Sequence, residues 1–250
     1  MKTVIDEIIE ALSHRYDFKK IRIKDLRIGL RYTCVELSNG LCGLSFSYTN
    51  ELFVENPPYT PGFITSLTLE DFFNQKRYTT TYAVIENAIV NALTNTKEVK
   101  GVKADIMDIV EINQNDRVCL VGAIGPIIKA LEGKVQELLV FERDRHPHSK
   151  LYPDWAASEY LRKADVIFFT GASLINRTFD DLINYVKNAR EVIVVGPSTP
   201  LYPDAFKKRG VTVIGGIVIT DNELAKRIVS EGGGTHHLKP SFKKVTLRIK

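Results

Sequence analysis

Val118-Cys119-Leu120-Val121 leading into Gly122-Ala123-Ile124-Gly125-Pro126, Val166-Ile167-Phe168-Phe169 leading into Thr170-Gly171-Ala172-Ser173, and Val192-Ile193-Val194-Val195 leading into Gly196-Pro197-Ser198-Thr199-Pro200 are three instances of one pattern. Each is a short apolar run, rich in β-branched or aromatic residues, that stops at small turn-forming residues. A strand covered by helices on both faces needs no polar alternation, so continuous runs of this length point to buried parallel strands. In open α/β sheets built from such strands, ligands settle in the crevice beyond the carboxyl ends. The three turns are therefore the first place to look for a binding site.

Working outward, the spacing predicts strand 117–121, helix 125–132, strand 137–141, helix 154–163, strand 166–170, helix 178–188, strand 191–195, helix 203–208 and strand 211–214. Strands and helices alternating at this spacing mean right-handed crossovers and a parallel sheet. The first hundred residues read differently. Val4, Ile5, Ile8, Ile9 and Leu12 form one apolar stripe of an opening helix. Residues 28–37 and 41–48 flank Ser38-Asn39-Gly40, an Asn-Gly turn signal for a hairpin, and Ile21-Arg22-Ile23 offers a third strand. The prolines of Asn56-Pro57-Pro58-Tyr59-Thr60-Pro61 exclude regular structure there. A short helical piece at 69–74 and a longer, alanine-containing helix at 81–93 follow. The expected fold class is α/β: a Rossmann-like parallel-sheet domain, residues 101–250, preceded by a smaller α+β domain, residues 1–100, with the polar stretch 95–103 as the boundary.

Composition limits the function classes. With 44% apolar and 26% charged residues, the 250-residue chain is an ordinary globular protein. The net charge of +4 is not a basic face. The first hundred residues carry 12 basic and 12 acidic side chains, whereas the last twelve hold five basic groups and no acid. A solvated terminal strand explains this surplus better than a nucleic-acid-binding groove, so no nucleic-acid partner is expected. Cys34, Cys42 and Cys119 form no CxxC motif and are odd in number, which argues against a secreted disulfide framework. There is neither a signal-peptide pattern nor an apolar run of membrane-spanning length, and the expectation is a cytoplasmic protein without a membrane partner.

Several groups could carry chemistry. Gly122 and Gly125 bound a turn that opens a helix, where backbone amides and the positive helix end attract a phosphate or carboxylate. The turn lacks a full G-x-G-x-x-G, and Pro126 removes one donor. Glu142 lies 20 residues beyond Gly122, where a ribose-binding acid would sit. A dinucleotide, an S-adenosylmethionine-like or nucleoside ligand, and a plain strand-to-helix turn all stay open here. Gly171, Ser173, Asn176 and Thr178 belong to the second turn, while Ser198 and Thr199 stand between two prolines that stiffen the third. Helix capping competes with ligand contact for these hydroxyls. Glu231-Gly232-Gly233-Gly234-Thr235-His236-His237 combines close backbone approach at Gly233 and Gly234 with two imidazoles that could act as acid, base or metal ligand. His146 and His148, after Glu142 and Asp144, are a second such group. No spacing specifies a metal, so a divalent ion is a candidate cofactor and no more. No nucleophile–base pair is legible, and Cys34 and Cys119 read as buried, inert thiols.

Taken together, Val121-Gly122 with Gly125-Pro126, Phe141-Glu142, Thr170-Gly171-Ala172-Ser173 with Asn176-Arg177-Thr178, Gly196-Pro197-Ser198-Thr199-Pro200 and Glu231-Gly232-Gly233-Gly234 resemble the prokaryotic family labelled "putative heavy-metal chelation". The hairpin and the helix carrying Asn87 and Asn91 resemble that family's companion domain, which is similar to the N-terminal domain of enolase. The resemblance implies a site in the cleft between the two domains, with Asn91 among its residues. It implies the binding or processing of a small molecule or metal complex there, as heavy-metal chelation or metal-cofactor handling. Two other classes stay open: a nucleotide- or S-adenosylmethionine-dependent transferase, and a non-catalytic binding module. Substrate, reaction and oligomeric state are not given by the sequence.

Overall fold

The structure, a computed structural model, describes residues 2–52, 59–75, 78–102, 104–143 and 151–249. The amphipathic stripe forms α1 (Val4–Arg15), whose Thr3 side chain accepts from the Asp6 amide while Asp6 returns the bond, a capping box. Then come β1 (Ile23–Ile28), β2 (Tyr32–Leu37), β3 (Cys42–Phe46), α2 (Thr49–Leu52), α3 (Leu69–Asn74) and α4 (Thr80–Thr94). The three strands make an antiparallel sheet in that order, with β2 central, and the Asn-Gly turn joins β2 to β3 as expected.

The second half runs β4 (Arg117–Val121), α5 (Gly125–Leu131), β5 (Glu137–Glu142), β6 (Tyr152–Pro153), α6 (Ala157–Tyr160), β7 (Val166–Thr170), α7 (Ala172–Ile175), α8 (Thr178–Leu182), β8 (Glu191–Val195), α9 (Pro203–Lys207), β9 (Val213–Ile219), α10 (Asn222–Ser230), α11 (Thr235–Leu238) and β10 (Phe242–Arg248). Its seven strands lie in the order β10-β9-β8-β7-β4-β5-β6, all parallel except the terminal β10. The chain starts at β4, winds outward to β6, then returns to the other side of β4. The strand order therefore reverses between β4 and β7, where crevices open in this architecture.

Several expectations change in detail. The third strand, expected at Ile21-Arg22-Ile23, is β1 and runs on to Ile28, so the strand expected over 28–37 begins only at Tyr32. The helix expected over 178–188 ends its α-helical part at Leu182 and continues as one tighter turn through Tyr185. The strand expected at 211–214 is the longer β9, which extends to Ile219 because β10 pairs along its whole length. That basic terminal strand is an antiparallel edge, with Lys243 and Lys244 exposed and Phe242 and Val245 buried.

The two halves share one apolar core. Val4, Ile5, Ile8, Ile85 and Ile89 from the first half belong to the same cluster as Val121, Ile167, Phe169, Val194 and Phe206 from the second. A separate cluster joins Tyr32, Cys34, Cys42 and Leu44 to Ala225, Val229 and Leu238. The small sheet is thus packed by α4 on one face and by α10 and α11 on the other, which is why every residue of β2 is buried. No described helix is long and apolar enough to cross a membrane.

Candidate functional site

The carboxyl ends of β4, β7 and β8 lie side by side, and the turns that follow them touch. Gly122 turns the chain at φ +100°, and a Cβ there would stand 2.5 Å from the Thr170 methyl, so the conformation and the space both require glycine. At Gly171 a Cβ would come within 2.5 Å of Thr199 Oγ1 and 2.7 Å of the Thr199 amide, which locks the second turn onto the third. Ser173 is buried and donates to the Thr170 carbonyl at 2.7 Å. Glu142 Oε2 accepts from the Ala123 amide at 2.7 Å and so braces the Gly122 turn, while Oε1 accepts from the amide of the following residue, Arg143, at 2.8 Å. Gly125 is exposed at the start of α5.

The first half closes over this edge. The chain leaving β3 reaches Tyr48, whose φ of +46° is rare for a bulky side chain, and its hydroxyl donates to the Ala172 carbonyl at 3.0 Å. Asn176 donates to the same hydroxyl at 2.9 Å, and its Oδ1 accepts from the Thr178 hydroxyl at 2.7 Å. One step back, the Phe46 amide donates to Ser198 Oγ at 2.8 Å. Farther along, Tyr32 and Thr235 share a hydrogen bond of 2.7 Å. The rings of Tyr32, Phe46 and Tyr48 follow one another edge to face, with centroids 6.1 and 5.1 Å apart. The residues of this aromatic strip hydrogen-bond Asn176, Ser198 and Thr235, which come from two loops and the start of α11.

Beneath it lies a polar seam that the sequence disclosed only in part. Ser198 and Thr199 are 3% and 0% exposed, so their loop is buried against α4. Asn87 donates to the Ser198 carbonyl at 3.1 Å, and Asn91 to the Leu44 carbonyl at 2.7 Å. Asn95, one turn on, does most: it donates to the carbonyls of Thr199 (3.0 Å) and Ile217 (3.1 Å) and accepts from the Leu201 amide at 2.7 Å. The sequence pattern places it at the start of the boundary stretch 95–103. The signal was available, since Asn87, Asn91 and Asn95 recur every four residues on one helix face. Among the described residues, Asn87 Oδ1, Asn91 Oδ1 and Thr199 Oγ1 are buried without a hydrogen-bond partner.

The glycine-rich loop serves packing in part. A Cβ on Gly233 would strike Ile228 at 2.3 Å, so that glycine lets the turn fold back on α10. Gly234 is open on the side where a Cβ would sit, and its amide donates to His237 Nδ1 at 3.2 Å. His236 and His237 are exposed, with ring centroids 6.0 Å apart. His146 and His148 lie outside the described residues. Among the described residues no three His, Cys, Asp or Glu side chains gather to hold a metal ion.

A cavity of about 90 Å³ borders Gly196, Pro197 and Thr235 at one end of the strip. A far larger groove, about 790 Å³, opens beyond the carboxyl end of β9, between the hairpin turn and the start of α10. None of the candidate site residues named from the sequence lines it, although the hairpin turn Asn39-Gly40 and Cys42 do. Its walls include Glu36, Cys42, Asn95, Asp221 and Glu223.

Comparison with known proteins agrees with this architecture. A family model described as "Putative heavy-metal chelation" matches residues 105–248, and a second model with the same description matches residues 9–94. An uncharacterised protein of Methanocaldococcus jannaschii is 30% identical over 146 residues, 55% of this chain and 55% of its own length, so the chain spans about half the length of that curated relative. A crystal structure of a protein of unknown function from Pyrococcus horikoshii has the same fold, with a TM-score of 0.84 and 20% identity over 99% of this chain and 100% of that one. Another from Desulfitobacterium hafniense gives 0.80 and 25% identity over 98% of each. With one model covering more than half its length, the chain belongs to the family described as "putative heavy-metal chelation".

Proposed function

We propose that the crevice under the Tyr32–Phe46–Tyr48 strip binds a small molecule or a metal complex, in the metal-related role that the family's description suggests. The observation that carries this reading is the convergence of Asn176, Ser198 and Thr235 on that strip at the carboxyl edge of a parallel sheet. Phe46, Tyr48, Asn176 and Thr178 are half-buried, so the strip is in contact with solvent as well as with the seam below. Aromatic faces beside amide and hydroxyl groups suit a compact, partly polar ligand. A metal enters this reading inside its complex, because the described side chains offer no cluster of three metal-ligating groups. The nucleotide reading fits less well. It asks Glu142 to face a ribose, whereas the carboxylate holds the amides of Ala123 and Arg143.

The experiment is a thermal-shift screen of small anions, nucleotides and chelated metals, run alongside mass spectrometry and metal analysis of what copurifies with the full chain. Tyr48→Phe, which removes one hydroxyl shared by Ala172 and Asn176, and Thr235→Val should abolish the shift while leaving the circular dichroism unchanged. A ligand that binds both variants as it binds the parent protein would place the site elsewhere.

A further inference from the structure

Cys34 and Cys42 read as unrelated in the sequence, eight residues apart and on either side of a turn. The hairpin brings them to the same face of the small sheet, where their sulfurs are 3.3 Å apart. Cys34 lies opposite Leu44 and Cys42 opposite Glu36, so the two are diagonal neighbours in the antiparallel ladder. Diagonal positions are separated by about 7–8 Å. Disulfides bridge Cα atoms about 4.4–6.8 Å apart and otherwise need backbone movement. The spacing therefore suits two thiols that reach toward a shared ion better than two that must join.

The position beside the groove supports the same use. Cys42, 6% exposed, borders the groove beyond β9, and Cys34 is fully buried beside it. The Lys226 ammonium stands on the same face of the sheet, 2.5 Å from Glu36, 2.7 Å from Glu223 and 3.5 Å from Asp25. The hydrogen bond with Cys42 and burial push the Cys34 thiol well above its usual range, and the Lys226 charge offsets this only in part. No described third or fourth His, Cys, Asp or Glu completes the set. Zinc asks for four ligands in a closed site, whereas soft thiolates select ions of the Cu(I) type.

We propose that Cys34 and Cys42 form a two-coordinate thiolate site for a soft monovalent cation of the Cu(I) or Ag(I) type, entered from the groove beyond β9. Binding replaces two S–H bonds by two metal–sulfur bonds and releases two protons to solvent, with no change of oxidation state. Taking metal–sulfur bonds of about 2.3 Å, a collinear ion sets the sulfurs about 4.6 Å apart. The two side chains must then part by about 1.3 Å, through their χ1 angles. This site is distinct from the crevice under the aromatic strip, and either can fail without the other.

The test uses the full chain, reduced and kept under nitrogen, titrated with Cu(I) against a chromophoric Cu(I) chelator. The parent protein and Cys119→Ala should each retain one equivalent, and Cys34→Ala and Cys42→Ala should each retain none while keeping the parent's circular dichroism. A measurement that needs no variant accompanies this: Cu(I) added to the reduced parent protein should give an ultraviolet sulfur-to-copper charge-transfer band that saturates at one equivalent, and Zn(II) should give none. Retention of Cu(I) by both single variants would overturn the proposal, as would the absence of that band. Formation of a Cys34–Cys42 disulfide in air, with no Cu(I) retained by the reduced protein, would overturn it in favour of a redox pair.

Discussion

Replacing Asn95 by alanine should be the most damaging single change to the seam between the two halves. The side chain is buried, and its amide serves three main-chain groups: the Thr199 and Ile217 carbonyls and the Leu201 amide. Thr94 also donates to Asn95, but it has a second acceptor in the Val90 carbonyl and is not left unpaired. Each buried main-chain group that loses its partner costs about 1–3 kcal/mol. Three of them give about 3–9 kcal/mol, a large fraction of the roughly 5–15 kcal/mol that holds a typical domain folded. Asn91 supplies the control. It makes one such bond, to the Leu44 carbonyl, and its Oδ1 has no described partner, so Asn91→Ala should cost about 1–2 kcal/mol. Urea unfolding of the parent and both variants measures the two midpoints under one slope. If Asn95→Ala fell within 1 kcal/mol of the parent, or if Asn91→Ala were the weaker protein, the bonding scheme for α4 would be wrong.

Three further outcomes are expected. Arg177, at φ +65°, places its guanidinium on the buried Glu86 carboxylate, so Arg177→Ala should cost about 3 kcal/mol and adding Glu86→Gln should restore part of it in a double-mutant cycle. Glu7 is held at about 2 by hydrogen bonds from Arg209 and Lys208, so its contribution is fully present above the ordinary carboxylate range and lost as pH falls toward 2. The stability difference between the parent and Glu7→Gln, read by denaturation from pH 7 to pH 2, should therefore start near 1 kcal/mol and vanish at the acid end. Burial, with a smaller contribution from Glu137, pushes the Cys119 thiol up to about 12, and it should resist alkylation at pH 8 until the protein is unfolded.

Much of this molecule could be read from its residues. The apolar runs ending at Val121, Thr170 and Val195 are parallel strands because nothing polar interrupts them, and local composition is enough to specify that. Capping residues such as Thr3 set the start of α1, and Ser38-Asn39-Gly40 set the hairpin turn. The candidate site was legible only as a collection of loops. That Ser198 faces the Phe46 amide, that Asn176 meets Tyr48 and that Thr235 meets Tyr32 depends on contacts between residues 128 to 203 positions apart. No local pattern encodes such distances. The glycines looked alike in the sequence, yet Gly171 is required by Thr199 and Gly233 by Ile228, which only packing reveals. Asn95 looked like linker, because a polar residue at a helix end normally meets water. The cysteines looked inert for the same reason: strand register, fixed by the turn and by the burial of β2 on both faces, decides whether two thiols meet. The sequence by itself determined which segments are strands and helices, since propensity and hydrophobic period are local. Tertiary structure alone decided which side chains share a site, because that depends on how the two halves bury one core between them.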